Sequence, residues 1–108
     1  MNYYDFIIET VREAGELLLK LRDEGFTATH KGSDPRDIVT SVDTAVNEFI
    51  IGKIKETFPN DVIYSEEGGG ITSGKNSWAV DPIDGSSNFS RGIPHYAVCV
   101  AHLANGVP

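Results

Sequence analysis

The chain is short of basic residues: 9 Lys and Arg stand against 16 Asp and Glu, a formal charge of −7 over 108 residues. That balance excludes a nucleic-acid binder working through a basic surface. A single cysteine, Cys99, allows no internal disulfide and no thiolate metal cage, which fits a reducing compartment; its place inside an apolar run points to packing. No stretch approaches the ~18 consecutive apolar residues of a membrane helix. The start, Met1-Asn2-Tyr3-Tyr4-Asp5, lacks the basic residues and apolar run of a signal peptide. No membrane partner is expected, and the cytoplasm is the expected compartment. What is present is ordinary for a folded domain: 40% hydrophobic and 23% charged residues. A compact chain of this size buries roughly 65% of its extended surface, enough for one modest core.

From Tyr4 to Leu21, the positions Tyr4, Ile7, Ile8, Val11, Ala14, Leu18 and Leu21 recur at three- and four-residue steps and predict an amphipathic helix stopped by Gly25. Phe26 to Arg36 reads as an extended piece and a polar loop. A second helix opens after Thr40 or Ser41, either able to cap it, buries Val42, Ala45, Val46, Phe49, Ile50 and Ile54, and ends by Phe58-Pro59. Short β-like runs follow: Val62 to Ser65, then a glycine-rich turn at Gly68 to Gly74, then Trp78 to Val80. A longer run, Tyr96 to Ala104, meets Asn105-Gly106, a strong two-residue hairpin signal. A hairpin turn with no returning strand predicts that Val107-Pro108 is a truncation point within a larger fold.

Three acidic clusters sit at chain reversals: Asp43, Glu66-Glu67, and Asp81-Pro82-Ile83-Asp84-Gly85. Carboxylates at strand ends that converge on one point suit a hard divalent cation, magnesium first, and the Ile83 carbonyl adds a neutral ligand. After Gly85, a short helix beginning at Ser86 and Ser87 presents backbone N–H groups to an anion. A carboxylate-held metal beside such donors is suited to a phosphate ester. Each piece also has a bland reading: Asp-Pro and Asp-Gly are turn chemistry, Glu66-Glu67 a solvated strand end, and Asp43 a charge favoured at a helix N-terminus. His30, His95 and His102 show no zinc spacing and read as surface or structural residues.

The order and spacing of Asp37-Ile38-Val39-Thr40-Ser41-Val42-Asp43, Ser65-Glu66-Glu67 and Trp78-Ala79-Val80-Asp81-Pro82-Ile83-Asp84-Gly85-Ser86-Ser87-Asn88-Phe89 resemble the inositol monophosphatase family. The resemblance runs over nearly the whole chain and implies that residues 1–108 are the N-terminal portion of one such domain, with the C-terminal portion absent. The fold it implies is an α/β (α+β) layered sandwich of the sugar-phosphatase type, its two helices packed on a mostly antiparallel sheet. By the same resemblance Glu66, Asp81 and Asp84 bind magnesium together with the Ile83 carbonyl. Asp43 and Ser86 hold and activate the attacking water, and Gly85, Ser86 and Ser87 receive the phosphate. The family usually has threonine at position 86; serine keeps the hydroxyl. The Lys31 loop resembles the family's segment that closes over the site.

The activity implied is magnesium-dependent hydrolysis of a small phosphate monoester, inositol monophosphate first, by direct attack of a metal-activated water. Lithium sensitivity comes with the family, and so does a homodimer. The expected partner is a small phosphorylated polyol or sugar. The family completes its second metal site from the C-terminal half, so the 108 residues alone are expected to be inactive. Two other readings stay open: a fructose-1,6-bisphosphatase or dual-specificity sugar phosphatase, which Ser86-Ser87-Asn88 also resembles, and a non-catalytic interaction domain.

Overall fold

The computed structural model describes residues 2–30, 38–65, 69–70, 76–94, 96–105 and 107. Helix α1 (Tyr3–Glu24) opens on Asn2, whose side-chain oxygen accepts the Asp5 amide at 2.8 Å. It closes at Gly25, where φ of 97° suits glycine and the amide donates to the Arg22 carbonyl. The buried stripe keeps Ala14 and Leu18 of the expected one and adds Phe6 and Thr10; Ile7 and Leu21 pack partly against the core, while Tyr4 is 72% exposed and Ile8 is exposed as well. A tally of apolar residue types passes over Thr10, yet steps of four from Phe6 run through it. Helix α2 (Ser41–Thr57) is capped by Thr40 and ends at Phe58, before Pro59, as expected. It buries Val42, Asp43, Val46, Asn47, Ile50 and Ile54.

Between the helices, β1 (Ala28–His30) and β2 (Ile38–Thr40) form an antiparallel pair in which Ala28 faces Thr40. The extended piece at residue 28 was expected and β2 was not. The main sheet comprises β3 (Val62–Ser65), β4 (Gly69–Gly70), β5 (Asn76–Asp84) and β6 (Ala97–Ala104), in the order β4-β3-β5-β6. β3 runs parallel to β5; the other two pairings are antiparallel. Two sequence expectations change here. Gly69–Gly70 pair as an edge strand instead of belonging wholly to a turn, and β5 continues past Val80 through Asp81 and Pro82 to Asp84. Asn105 takes φ of 54°, and Ala104 and Val107 exchange hydrogen bonds of 2.8 and 3.1 Å, the expected reversal.

Both helices pack on one face of the sheet, α1 toward β6 and α2 toward β5. Trp78, fully buried, sits among Tyr3, Phe6, Phe58 and His102 with ring centroids 5.1 to 5.8 Å away. Val80, Ile83, Val46, Ile50 and Ile54 complete this core. Each such side chain contributes roughly 1.5–3 kcal/mol on burial. Successive strand residues alternate faces, so Tyr64, Ala79, Asp81, Cys99 and Ala101 share the opposite face. There they line a hollow of about 520 Å³ with Tyr64 and Cys99 exposed. The packing role read for Cys99 is therefore corrected: its apolar neighbours in sequence, Val98 and Val100, turn to the core and it turns away. No helix among the described residues is long and apolar enough to cross a membrane.

Candidate active site

Thr40 ends β2 and caps α2, and three residues later the chain delivers Asp43 into the interior, fully buried. The carboxylate acts as an acceptor on both oxygens. Oδ2 takes the Thr40 amide at 2.8 Å and, by a short bond, the Thr40 hydroxyl; that hydroxyl in turn accepts the Asp43 amide at 3.2 Å. This is a capping box with an extra side-chain bond. Oδ1 receives the Ser86 hydroxyl at 2.5 Å, across 43 residues of sequence. The structure thus brings together Asp43 and Ser86, the pair expected to hold water.

Ser86 reaches Asp43 because the chain turns sharply at the end of β5. Gly85 takes φ of 92° and ψ of 37°, the left-handed region, and helix α3 (Ser86–Ser90) begins at once, with no side chain capping its first turn. Phe89 anchors α3: it is buried, with its ring 4.9 Å from Phe26 and 5.0 Å from Tyr96. Ser86 and Ser87 are both half-buried. Ser86 Oγ also lies 3.0 Å from the Ile83 carbonyl. A hydroxyl has one proton, and the shorter contact to a carboxylate claims it. The Ile83 carbonyl is then left with acceptor capacity.

Asp81 and Asp84 are three residues apart, and a regular strand would turn them to opposite faces. The pairing with β6 removes that difficulty. Asp81 faces Cys99 and Asp84 faces Ala97, so three steps on β5 match two on β6, with a register shift between them. Cys99 and Ala97 share a face, and cross-strand partners share a face, so the two carboxylates do as well. The Cys99 thiol responds to both: its pKa is pushed up by burial first, then by Asp84, then by Asp81. Asp81 and Asp84, expected at a chain reversal, lie instead on an irregular strand whose register shift brings them to one face. Asp84 and Gly85 border a second hollow of 470 Å³ with Asn88, Pro94, Tyr96 and Ala97.

Two carboxylates and a carbonyl with acceptor capacity to spare are hard oxygen donors, the set that suits magnesium or calcium, so the residues present fit such an ion. Among the described residues no three His, Cys, Asp or Glu side chains gather into a metal-binding group. The third expected carboxylate, Glu66, lies outside the described residues, as do Glu67, Lys31, Asp37 and His95. His102 is structural, as expected: its ring stacks on Tyr3 at 3.8 Å and its Nε2 donates to Asn76 Oδ1 at 3.1 Å. The sequence offers Thr40 or Ser41 as the cap and does not announce the hydroxyl bond from Thr40 to Asp43. Thr40-Ser41-Val42-Asp43 has capping-box spacing, which announces the two amide bonds and not the hydroxyl-to-carboxylate bond. Asp61, which collects the Tyr3 hydroxyl at 3.2 Å and Trp78 Nε1 at 3.0 Å, gave no signal at all.

The sequence model of the inositol monophosphatase family matches residues 2–108. A fructose-1,6-bisphosphatase/inositol-1-monophosphatase of Thermotoga maritima is 34% identical over 106 residues, covering 98% of this chain and 41% of the relative. A protein of Vibrio cholerae named Nus factor SuhB is 39% identical over 99 residues, covering 87% of this chain and 36% of the relative. Among solved structures, the inositol monophosphatase of Thermotoga maritima superposes with a TM-score of 0.86 at 34% identity, over 98% of this chain and 41% of that one. The chain thus spans about two-fifths of the length of the relatives it matches.

Proposed function

This chain belongs to the inositol monophosphatase family, and on that footing we propose that the protein hydrolyses a small phosphate monoester, inositol monophosphate first, with magnesium as cofactor. Residues 1–108 are, in this reading, the N-terminal portion of a single domain acting on a phosphorylated polyol or sugar in the cytoplasm. Asp81, Asp84 and the Ile83 carbonyl, with Glu66 from the segment after β3, hold the cation. Ser65, the residue before Glu66, pairs with Val80, the residue before Asp81, which supports that grouping. Bound there, magnesium supplies positive charge that offsets the repulsion between an incoming oxygen and a phosphate dianion and eases loss of a proton from water.

The observation that carries the reading is the 2.5 Å bond from Ser86 Oγ to Asp43 Oδ1. Having given its proton to Asp43, Ser86 Oγ is left as an acceptor for an O–H of water. A proton leaving that water passes to Ser86 Oγ as the Ser86 proton moves onto Asp43 Oδ1, so the pair holds the water and takes its proton. The backbone N–H groups around Gly85, Ser86 and Ser87, at the uncapped start of α3, receive the phosphate oxygens.

The test is phosphate release from inositol monophosphate and fructose 1,6-bisphosphate by the protein as its gene encodes it, with and without magnesium. Release that requires magnesium and disappears in Asp81→Asn supports the proposal. Release unchanged in Asp81→Asn removes that residue from the site. The 108 residues alone are expected to be inactive. The Thermotoga relative's double name favours testing both substrates in parallel. A second reading, a non-catalytic interaction protein, is favoured by the relatives named Nus factor. A folded, gene-length protein with no phosphate release on either substrate would decide for it.

A further inference from the structure

We infer that Thr40 is a positioning residue for the hydrolytic step, fixing which oxygen of Asp43 faces Ser86; this rests on the proposed water-holding role of that pair. A helix cap needs only that the Thr40 hydroxyl accept the Asp43 amide and that the Asp43 carboxylate reach back to the Thr40 amide. Here the hydroxyl does more, spending its own proton on Asp43 Oδ2. A carboxylate oxygen has two lone pairs, and both on Oδ2 are taken by Thr40, one by its amide and one by its hydroxyl. Rotation of the carboxylate is thereby blocked, and Oδ1 is committed to Ser86. Both residues are buried, 2% exposed for Thr40 and 0% for Asp43, so water does not replace a lost donor easily.

Thr40 is itself held from two sides. Its backbone pairs with Ala28 across the β1–β2 ladder. The next residue, Ser41, donates its amide to the Thr27 carbonyl at 2.9 Å and accepts the Thr27 amide on its hydroxyl at 3.2 Å. The small β1–β2 sheet is thus the anchor, Thr40 the clamp, and Asp43 Oδ1 the clamped atom.

The experiment compares Thr40→Val, which keeps the shape and removes the hydroxyl, with Thr40→Ser, which restores it, in the gene-length protein on inositol monophosphate. Thr40→Val is expected to lower kcat by about 10- to 100-fold, the scale of a small misplacement of a reacting group. KM and the magnesium concentration for half-maximal rate should stay within about threefold of the parent, and Thr40→Ser should restore kcat to within about threefold. A role in capping alone would lower the melting temperature and leave kcat per folded molecule untouched; that result overturns the inference. Should Thr40→Val fail to fold, Thr40→Cys, whose thiol donates weakly, takes its place with the same expected and overturning outcomes. Asp43→Asn and Ser86→Ala run alongside. If they abolish turnover and the Thr40 variants do not lower it, this inference alone fails; if they leave turnover intact, the water-holding reading fails first.

Discussion

Asp43 and Asp61 are two acidic side chains that gather donors from distant parts of the chain, at opposite ends of β5. Asp61 takes the hydroxyl of Tyr3 and the indole N–H of Trp78, both on rings wedged among other rings. Asp43 takes the hydroxyls of Thr40 and Ser86, both short side chains, the second of them two residues after Asp84 in sequence. Aromatic donors bring large buried area with their hydrogen bonds and so lock packing. Small hydroxyl donors bring almost no area; they can also accept, so a proton has somewhere to go. The chemistry of acceptance is alike at the two ends; the partners suit one to stability and the other to the proposed reaction.

The largest effect expected from breaking this contrast is at Asp43. In Asp43→Asn the amide fills the same space, but its N–H donates to Ser86 Oγ and reverses the bond, so the pair no longer accepts a proton. Turnover should fall by about 10³-fold, within the range for loss of general acid–base help, while the unfolding midpoint moves little. Asp61→Asn should do the opposite, leaving kcat per folded molecule within about twofold and lowering stability by about 1 kcal/mol, the usual net worth of a hydrogen bond. Trp78→Phe should cost about 2 kcal/mol in denaturant unfolding, because it leaves Asp61 short of a donor in a packed site. If Asp61→Asn cost turnover as heavily as Asp43→Asn, the division between the two ends would be wrong.

A smaller effect separates the ends by pH. Burial, then the charge of Asp61 and its hydrogen bond, push the Tyr3 hydroxyl above its ordinary value of 10.0. The folded state therefore holds that proton more tightly than the unfolded chain does. The resulting stability is fully present below pH 10 and is lost as pH climbs through the raised folded value. Melting temperatures of the parent and Tyr3→Phe, followed from pH 8 to pH 11.5, should converge at the alkaline end. A gap that stays constant, or widens, would remove Tyr3 from this linkage.

Much of this was written in local sequence. The caps at Asn2, Gly25, Thr40 and Phe58 obey short-range rules, and Pro59 and Asn105 mark where backbone geometry must change. The segments Asp37 to Asp43, Ser65 to Glu67 and Trp78 to Phe89 carried the family resemblance, and Asp43 and Ser86, both candidate site residues, are bonded to each other in the structure. What stayed hidden depends on pairing across the chain. The face shared by Asp81 and Asp84 is set by the register with β6, a property of two strands together, and residue spacing alone pointed to a turn. Asp61 sits before β3 with nothing around it in sequence to announce that Tyr3 and Trp78, 58 and 17 residues away, both donate to it. The burial of α1 on its Phe6–Leu18 line was likewise chosen by the aromatic cluster it meets and not by its own apolar count.

The finest test of the contrast uses Cys99 as a probe of the acidic end. If Asp81 and Asp84 share its face, their charges hold back thiolate formation, and the raised thiol pKa has burial as its largest cause with Asp84 next and Asp81 after it. Alkylation by iodoacetamide follows the thiolate fraction, so at pH 8 the thiol of this chain should react more slowly than a free thiol. Asp84→Asn should speed it, since removing that charge favours the thiolate. Asp81→Asn should do so by somewhat less, and Asp61→Asn, at the aromatic end, should do nothing. Equal rates in all four proteins would mean that the register shift does not bring the two carboxylates to the Cys99 side, and the proposal that they hold a cation together would lose its geometric basis.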